Sequence, residues 1–232
     1  MSIPRAPLSR ERALAAAVAL VDAEGIKALT MRRLAADLGV EAMSLYYHLP
    51  GKEGLLDGLV DTVIGEIEEE VRRTDEPGGH WRVRLRRRCL AARTVMLRHP
   101  WAPALLGTRP SVPPGVYGYF DEIVGLLLGG GFSHRLAHRA IHALGTMVLG
   151  FVQELFSPAS TDVDSSEADL AAMAAAVPHL TAMVAAEMHA AGDPTLGWCD
   201  SQVEFEFTLD LLLDGLDRTA RAESRRSAAA SP

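Results

Sequence analysis

A short segment, residues 42–52, carries the side chains whose types and order best suit contact with a polyanion. The small side chains of Ala42, Met43 and Ser44 would let one end of a helix enter a DNA major groove and meet base edges there. The side chains that follow fall where phosphates run: Tyr46, Tyr47, His48 and Lys52. Tyrosines exposed on one helix face are costly to leave in water unless something binds there. The segment therefore predicts a DNA-reading helix.

The elements that would hold this helix come just before it. Thr30 is suited to cap a helix whose apolar residues recur at three- and four-residue spacing. These apolar residues are Met31, Leu34, Ala35 and Leu38. Gly39 supplies a left-handed turn, and Val40 and Leu45 are expected to fill the core shared with the second helix, which runs from about Ala42 to His48. The pattern is that of a helix-turn-helix. The competing interpretation is a structural hairpin whose tyrosines pack on a neighbouring helix.

The composition places the excess negative charge away from this segment. The chain has 232 residues, 48% of them hydrophobic, and a formal net charge of −7. Residues 1–60 contain as many basic as acidic residues, so the excess lies in residues 61–232. No apolar run is long enough for a bilayer and the N-terminus lacks the centre of a signal peptide, which predicts a cytoplasmic protein without a membrane partner. Cys89 and Cys199 stand too far apart to suggest a zinc ribbon or a disulfide framework.

Helical periodicity continues through the rest of the chain and predicts an all-α fold. We expect a DNA-binding head over residues 1–52, a helical ligand-binding and dimerisation body over 53–222, and a disordered tail over 223–232. The body helices are expected from Lys52, over 81–98, 115–129, 133 to about 156, 169–190 with a break at Pro178, and about 200–221. The arginines of 81–98 are expected to be solvated or paired at the surface. The last helix is apolar nearly all round, so with the helix from Ser133 it is expected to form a four-helix bundle with a second copy.

Histidines four residues apart provide the sharpest alternative. His134, His138 and His142 would lie along one helix, and two of them with a carboxylate such as Glu154 would give a metal-binding enzyme. All three span too great a length for one ion. The sequence contains no HExxH motif, nucleophile elbow or P-loop, so it favours core or interface histidines, with no metal or cofactor. A DNA-binding scaffold without a small ligand is the third possibility.

Two parts of the sequence resemble a known family. The string SLYYHLPGKEGLLDGL at residues 44–59 is similar to the recognition helix, turn and next helix of the tetracycline-repressor (TetR) family of bacterial transcriptional regulators. LLGTRP at Leu105–Pro110 and GGFS at Gly130–Ser133 resemble the ligand-binding core of its tetracycline-binding branch. The resemblance implies a homodimeric repressor that binds a palindromic double-stranded operator and leaves it when a small molecule enters the body.

The resemblance and the segment chemistry together define two sets of candidate residues. The DNA-binding set is Thr30, Arg32, Arg33, Ala42, Met43, Ser44, Tyr46, Tyr47, His48 and Lys52. By resemblance, Arg32 is expected to reach a guanine. Where the tetracycline-binding branch has a magnesium-binding histidine, this chain has Leu105, so we expect a different, more apolar effector without obligatory magnesium. The expected ligand contacts come from Leu105, Arg109, Phe120, Ile123, His138, Ile141 and Gly145.

Overall fold

The computed structural model describes residues 7–74, 79–109, 112–151, 174–183 and 201–229. Within these ranges the regular structure is helical, as the sequence predicts, and no helix there has the length and hydropathy of a membrane span. The chain divides into two compact units. One consists of Met1–Val152 with Leu212–Pro232, and the other of Gln153–Leu211. The contacts described below lie within the first unit unless the second is named.

Four helices make up the N-terminal part. They are α1 (Arg10–Glu24), α2 (Met31–Leu38), α3 (Ala42–His48) and α4 (Gly51–Thr74), with a 3-10 turn at Ile26–Ala28. Ser9 caps α1, because its hydroxyl oxygen accepts a hydrogen bond from the backbone N–H of Arg12 at 3.2 Å. Where α1 crosses α4, Gly58 leaves no room for a side chain, since a Cβ there would lie 2.5 Å from Cδ2 of Leu14. The glycine therefore lets the two helices pack closely.

Four further helices form the described part of the body in the first unit. They are α5 (Trp81–Arg98), α6 (Ala102–Thr108), α7 (Pro114–Gly129) and α8 (His134–Gly150). The helix that leaves the head, α4, packs along α5 and also contacts α6 and α7. α5 and α7 run antiparallel, since the Trp81 ring at the start of α5 lies against Gly130 at the end of α7, and Arg88 further along α5 pairs with Glu122. The buried side of α8 packs on α7 and α5.

A buried histidine ties α1 to α4 and to the connection between α5 and α6. His99 is 3% exposed, and its Nδ1 lies 2.8 Å from Oδ1 of Asp22 while its Nε2 lies 3.1 Å from Oε2 of Glu66. The Trp101 Nε1–H donates to the same oxygen of Asp22 at 2.6 Å. Buried polar groups require such partners, so these bonds fix α1 against the body. We call these four residues the joint.

The last helix, α9 (Ser201–Ala229), is longer than expected. The predicted disordered tail from residue 223 is wrong as far as Ala229, because those residues are helical. Glu223 accepts a hydrogen bond from Ser133 at 2.7 Å and pairs with Arg135 at 3.4 Å, which attaches the added turns to the start of α8. Residues 201–211 belong to the second unit, as does a helical stretch at 174–183 that is interrupted at residue 177, next to Pro178, as predicted.

Two expectations about the body helices also change. α8 ends at Gly150, earlier than predicted, and Phe151 follows it in a turn. The arginines of α5 are not all at the surface, because this helix is packed by α4, α7 and α8 and leaves little of its circumference to solvent. Arg93, 2% exposed, donates to the carbonyl oxygen of Phe151, and Arg88 is 6% exposed. Cys89 is buried, and burial raises the pKa of its thiol to about 12. Cys199 lies outside the described residues.

Candidate nucleic-acid interface and ligand residues

The turn between α2 and α3 has the geometry that the sequence predicts. The hydroxyl oxygen of Thr30 accepts from the backbone N–H of Arg33 at 3.1 Å and caps α2. Gly39 has φ 67° and ψ 38°, a left-handed conformation that glycine adopts without steric cost. The N–H groups of Gly39 and Val40 then close α2 by bonding the carbonyls of Ala36 and Ala35 at 3.1 and 3.0 Å. α3 starts three residues after the turn glycine, at a direction set by these bonds.

The side chains of α3 divide into a buried and an exposed side. Leu45 is 0% exposed and anchors the helix, whereas Val40, expected in the same core, is only half-buried. The exposed side carries Met43 at 74%, Tyr47 at 88% and Tyr46 at 47% exposure, with Ser44 beside them. We call these four residues the reading face; Ala42 and His48 at its ends are half-buried. The described residues leave the tyrosine rings uncovered, which argues against the alternative of a structural hairpin.

Arg33 makes its ion pairs within the head. Its guanidinium contacts the carboxylate of Glu24 on α1 at 2.6 Å and that of Asp37 on α2 at 3.1 Å. The hydrogen bonds that Arg33 donates to Glu24, and then those to Asp37, raise the pKa of Arg33 above its ordinary value. This side chain therefore holds the end of α1 against α2, a role that the sequence analysis did not identify.

Arg32 and Lys52 are not neutralised by a described carboxylate. Both side chains are exposed, and neither forms an ion pair or hydrogen bond with another described residue. The acidic residues that lie closest to them in the sequence are paired elsewhere. Glu24 and Asp37 bind Arg33, and two carboxylates of α4 bind an arginine from the body. A head with balanced formal charge can therefore present a positive surface beside the reading face.

The arginine from the body is Arg109, which the sequence analysis assigned to the ligand. Its side chain is 7% exposed and lies against the first turns of α4, where Nη1 bonds Glu53 at 2.7 Å and Nη2 bonds Asp57 at 2.5 Å. We call this pair of bonds the Arg109 clamp. The clamp attaches the end of α6 to the part of α4 that follows the reading face.

The other expected ligand residues do not share one environment. Leu105 and Ile123 are buried, Phe120 is 38% exposed, and Ile141 and Gly145 are half-buried. His138 is exposed, and its ring lies edge-to-face on that of His142 with centroids 4.6 Å apart. The spacing of apolar residues on α8 shows which sides of the helix are apolar, but it does not show which element each side contacts.

Two open clefts, each of about 400 Å³, lie elsewhere in the first unit. One is lined by Gly79, His80, Trp81, Arg84, Gly125, Leu126, Gly129 and Gly130, and the other by His80, Trp81, Gly130, Gly131, Asp217, Ala220, Arg221, Ser224 and Arg225. None of the expected ligand residues lines either cleft. The resemblance at Gly130–Ser133 covers part of this lining, and the further signal in the sequence was the spacing of Gly125 and Gly129, four residues apart on one side of α7.

The histidines of α8 do not form a metal centre with the other described side chains. His134, His138 and His142 all lie on the exposed side of the helix. Across the described ranges no three His, Cys, Asp or Glu side chains converge as metal ligands. Glu154, the suggested carboxylate partner, lies outside those ranges.

The turn between α2 and α3 contains a left-handed glycine, α3 exposes the reading face, and Arg32 and Lys52 are exposed cations close to it in the sequence. These features define a helix-turn-helix DNA-binding protein. Family comparisons agree. The profile described as "Bacterial regulatory proteins, tetR family" matches residues 13–59, and that of the "Tetracyclin repressor-like, C-terminal domain" matches residues 74–220. The chain belongs to the TetR family of transcriptional regulators.

Individual relatives match along most of the chain. An HTH-type transcriptional regulator of Saccharopolyspora erythraea is 31% identical over 216 residues, covering 93% of this chain and 87% of the relative. The HTH-type transcriptional repressor DrrR1 of Streptomyces coeruleorubidus is 30% identical over 218 residues, covering 92% and 79%. The structure of the Streptomyces coelicolor TetR family protein ActR in complex with actinorhodin superimposes with a TM-score of 0.68 and 28% identity, covering 91% and 96%. The chain is a transcriptional regulator and not an enzyme, and the metal-enzyme alternative is not supported.

Proposed function

We propose that the protein is a homodimeric repressor that places the reading face of α3 in the major groove of a palindromic operator and leaves it when a small molecule binds the body. The carrying observation is the reading face itself, where Tyr47 is 88% and Met43 74% exposed while Leu45 behind them is 0% exposed. Large apolar groups in water mark an interaction site. The description of the similar DrrR1 as a repressor supports repression rather than activation.

The contacts of the two neighbouring arginines support different roles for them. Arg32, exposed and without a partner among the described residues, reads a base, and a guanidinium is well suited to O6 and N7 of guanine. Arg33, held by Glu24 and Asp37, positions α2 and α3. Lys52 at the start of α4 binds backbone phosphate and adds affinity without sequence preference. At the C-terminal end of α3, Tyr46, Tyr47 and His48 contact the phosphates that border the groove.

Pairing of two chains is supported by an apolar stripe on α9. Val203, Phe207 and Leu211 recur every four residues and are 59%, 61% and 54% exposed. Phe205 and Leu209, between them on the other side of the helix, are 0% exposed. A helix that is apolar on both sides needs a partner on each. A second copy of the chain covers this stripe, and the dyad then relates two reading faces about one DNA turn, roughly 34 Å, apart.

Release from the operator requires contacts that connect the body to the head. The Arg109 clamp and the joint are such contacts, because each binds body residues to α1 or to the start of α4. A ligand that favours one arrangement of these contacts changes the separation of the reading faces. A ligand with equal affinity for both arrangements changes nothing.

The complex of ActR with actinorhodin supports a small organic effector for this chain. The contacts predicted from the sequence stay as candidates, with Leu105 and Ile123 as buried apolar members. The apolar Leu105 supports an effector that does not need magnesium. Tetracycline with magnesium is therefore expected to leave the melting temperature unchanged, and an appreciable rise would contradict this assignment.

Selection of bound fragments from random DNA by the purified full-length protein tests the proposal. An inverted repeat with half-sites about one helical turn apart is expected. Recovery of no enriched sequence, or of a single half-site without a dyad, would overturn it.

A further inference from the structure

His138 and His142 lie side by side on the exposed side of α8. Their rings are in edge-to-face contact, with centroids 4.6 Å apart and planes at 73°. Both side chains are exposed, and neither ring forms a hydrogen bond or ion pair with another described residue. The sequence favoured core or interface positions without a metal. The exposed positions rule out the core, and no described residue occupies the ring nitrogens.

The spacing of the two histidines is that of a chelating pair. A separation of four residues places both side chains on one face of the helix, one turn apart. In the helical HExxH motif the same separation brings one nitrogen of each histidine to a zinc ion, and the glutamate acts as the catalytic base. Arg139 stands after His138 where that motif has its glutamate. The pair can therefore hold an ion without supplying the catalytic group.

His134, on the same side of α8, is not part of this pair. It lies eight residues before His142, about 12 Å along the helix axis, so these two residues cannot share an ion. The ring contact joins His138 to His142, and His134 has no ring contact with a described residue. The structure therefore favours the second and third histidines of the series.

The ligand chemistry of the pair selects the kind of ion. Imidazole nitrogen suits Ni²⁺, Cu²⁺ and Zn²⁺, whereas Mg²⁺ and Ca²⁺ prefer oxygen. No third His, Cys, Asp or Glu side chain converges on the pair within the described ranges, so water fills the remaining coordination positions. Arg135 pairs with Glu223, but Arg139 is exposed on the same side of α8 and repels cations. Binding therefore depends on the strength of the nitrogen–metal bonds, which increases from Mn²⁺ to Ni²⁺.

We propose that His138 and His142 form a chelating site for a divalent transition-metal ion of the Ni²⁺, Cu²⁺ and Zn²⁺ class. Each ring turns one nitrogen towards the ion, and the rings leave their edge-to-face contact. The bound ion links two successive turns of α8, so it stabilises the folded chain. The site does not depend on the proposed function, because the two imidazoles bind the ion without DNA or effector.

Calorimetric titration of the full-length chain, without an affinity tag, tests the choice of ion. Ni²⁺ and Mn²⁺ carry the same charge, so a difference between them reports the ligand chemistry. Ni²⁺ is expected to bind at least about 10-fold more tightly than Mn²⁺. Lowering the pH from about 7.5 to about 5.5 is expected to weaken Ni²⁺ binding, because protonated imidazoles cannot bind a metal.

Matched glutamine variants locate the site. His138→Gln and His142→Gln each remove one ligand and are expected to raise the Ni²⁺ Kd at least about 10-fold, because the chelate is lost. His134→Gln makes the same change on the same side of α8 and is expected to change that Kd by less than about twofold. All three residues are exposed, so none of these changes is expected to disturb folding. Ni²⁺ is expected to raise the melting temperature of the wild-type chain but not that of His138→Gln.

Equal Kd values for Ni²⁺ and Mn²⁺, Ni²⁺ binding that is insensitive to pH or survives in His138→Gln, or equal losses in His134→Gln and His142→Gln would each overturn the site. DNA selection is an independent measurement. An inverted repeat recovered with a chain that does not bind Ni²⁺ leaves the regulator intact and removes this site. Binding of Ni²⁺ by the pair without an enriched DNA sequence leaves the site and removes the proposed function.

Discussion

Arg32 and Arg33, neighbours on α2, are assigned different roles because their contacts differ. Arg33 turns towards Glu24 and Asp37, which neutralise it within the head, whereas Arg32 has no such partner among the described residues. Exposed ion pairs contribute little to stability, so the main effect of Arg33 is on geometry and local charge. Because Arg33 pairs with these two carboxylates, Arg32 and Lys52 determine the electrostatic potential near the reading face.

Arg32→Ala and Lys52→Ala are expected to have different effects on DNA binding. Loss of Arg32 is expected to cost about 1–3 kcal/mol at one operator base pair and to relax the preference there. Loss of Lys52 is expected to weaken all sequences alike and to lower the salt dependence of binding by about one ion. Anisotropy titrations with operator, single-base variants and unrelated DNA measure both effects. Equal losses on every sequence for both variants would contradict the assigned roles.

Among the helices, α4 has the broadest set of contacts in the described structure. α1 packs closely on it at Gly58, Arg109 binds it through the Arg109 clamp, and His99 contacts its Glu66. Its contacts with α5, α6 and α7 mean that a shift of the body cannot leave its position unchanged. A single helix thus carries Lys52, close in sequence to the reading face, and also packs against the body helices.

The joint gives a prediction about stability. Asp22→Ala is expected to remove the shared acceptor of His99 and Trp101, leaving two buried donors without it at about 1–3 kcal/mol each. Glu24→Ala, in the same helix, removes only an exposed partner of Arg33 and is expected to change the free energy of unfolding much less. Urea unfolding measures both. Equal destabilisation by the two changes would show that the joint does not hold α1.

The Arg109 clamp gives a prediction about DNA affinity. Arg109→Gln is expected to leave the carboxylates of Glu53 and Asp57 unpaired beside Lys52 and to weaken DNA binding by about 3- to 10-fold at low salt, and less at high salt. Adding Glu53→Gln and Asp57→Asn to that variant should restore affinity, because the uncovered charges are gone. Anisotropy titrations at two salt concentrations make the comparison. Failure of the triple variant to recover would point to a packing effect instead.

Across the whole molecule, the features that sequence predicted are those set by residues within one or two turns of each other. Thr30 caps α2 and Gly39 ends it because each acts on backbone groups close by in the chain. The pairing of Arg109 with Glu53, and of Ser133 with Glu223, joins distant segments, so periodicity could not reveal it. Ligand residues inferred from resemblance depended on the same distant packing. That is why the Arg88 ion pair and the nearby cleft emerged only from the structure.

The proposed dimer is also a property of the whole molecule. Phe207→Asp places a charge in the exposed apolar stripe of α9 and is expected to raise the dimer Kd by about 100-fold or more, because the charge would be buried without a partner. Gln202→Asp adds the same charge on another side of the helix and is expected to leave association unchanged. Analytical ultracentrifugation separates these results. A chain that is monomeric before any substitution would contradict the twofold arrangement.

The central claim is that two reading faces contact one operator through its major groove. Hydroxyl-radical footprinting on the selected DNA, with the wild-type chain and a Tyr46→Ala/Tyr47→Ala variant, tests it most directly. With the wild-type chain, two protected patches related by a dyad are expected about one helical turn apart. In the variant, both are expected to be lost with little change in melting temperature. Protection that persists unchanged in the variant would contradict it.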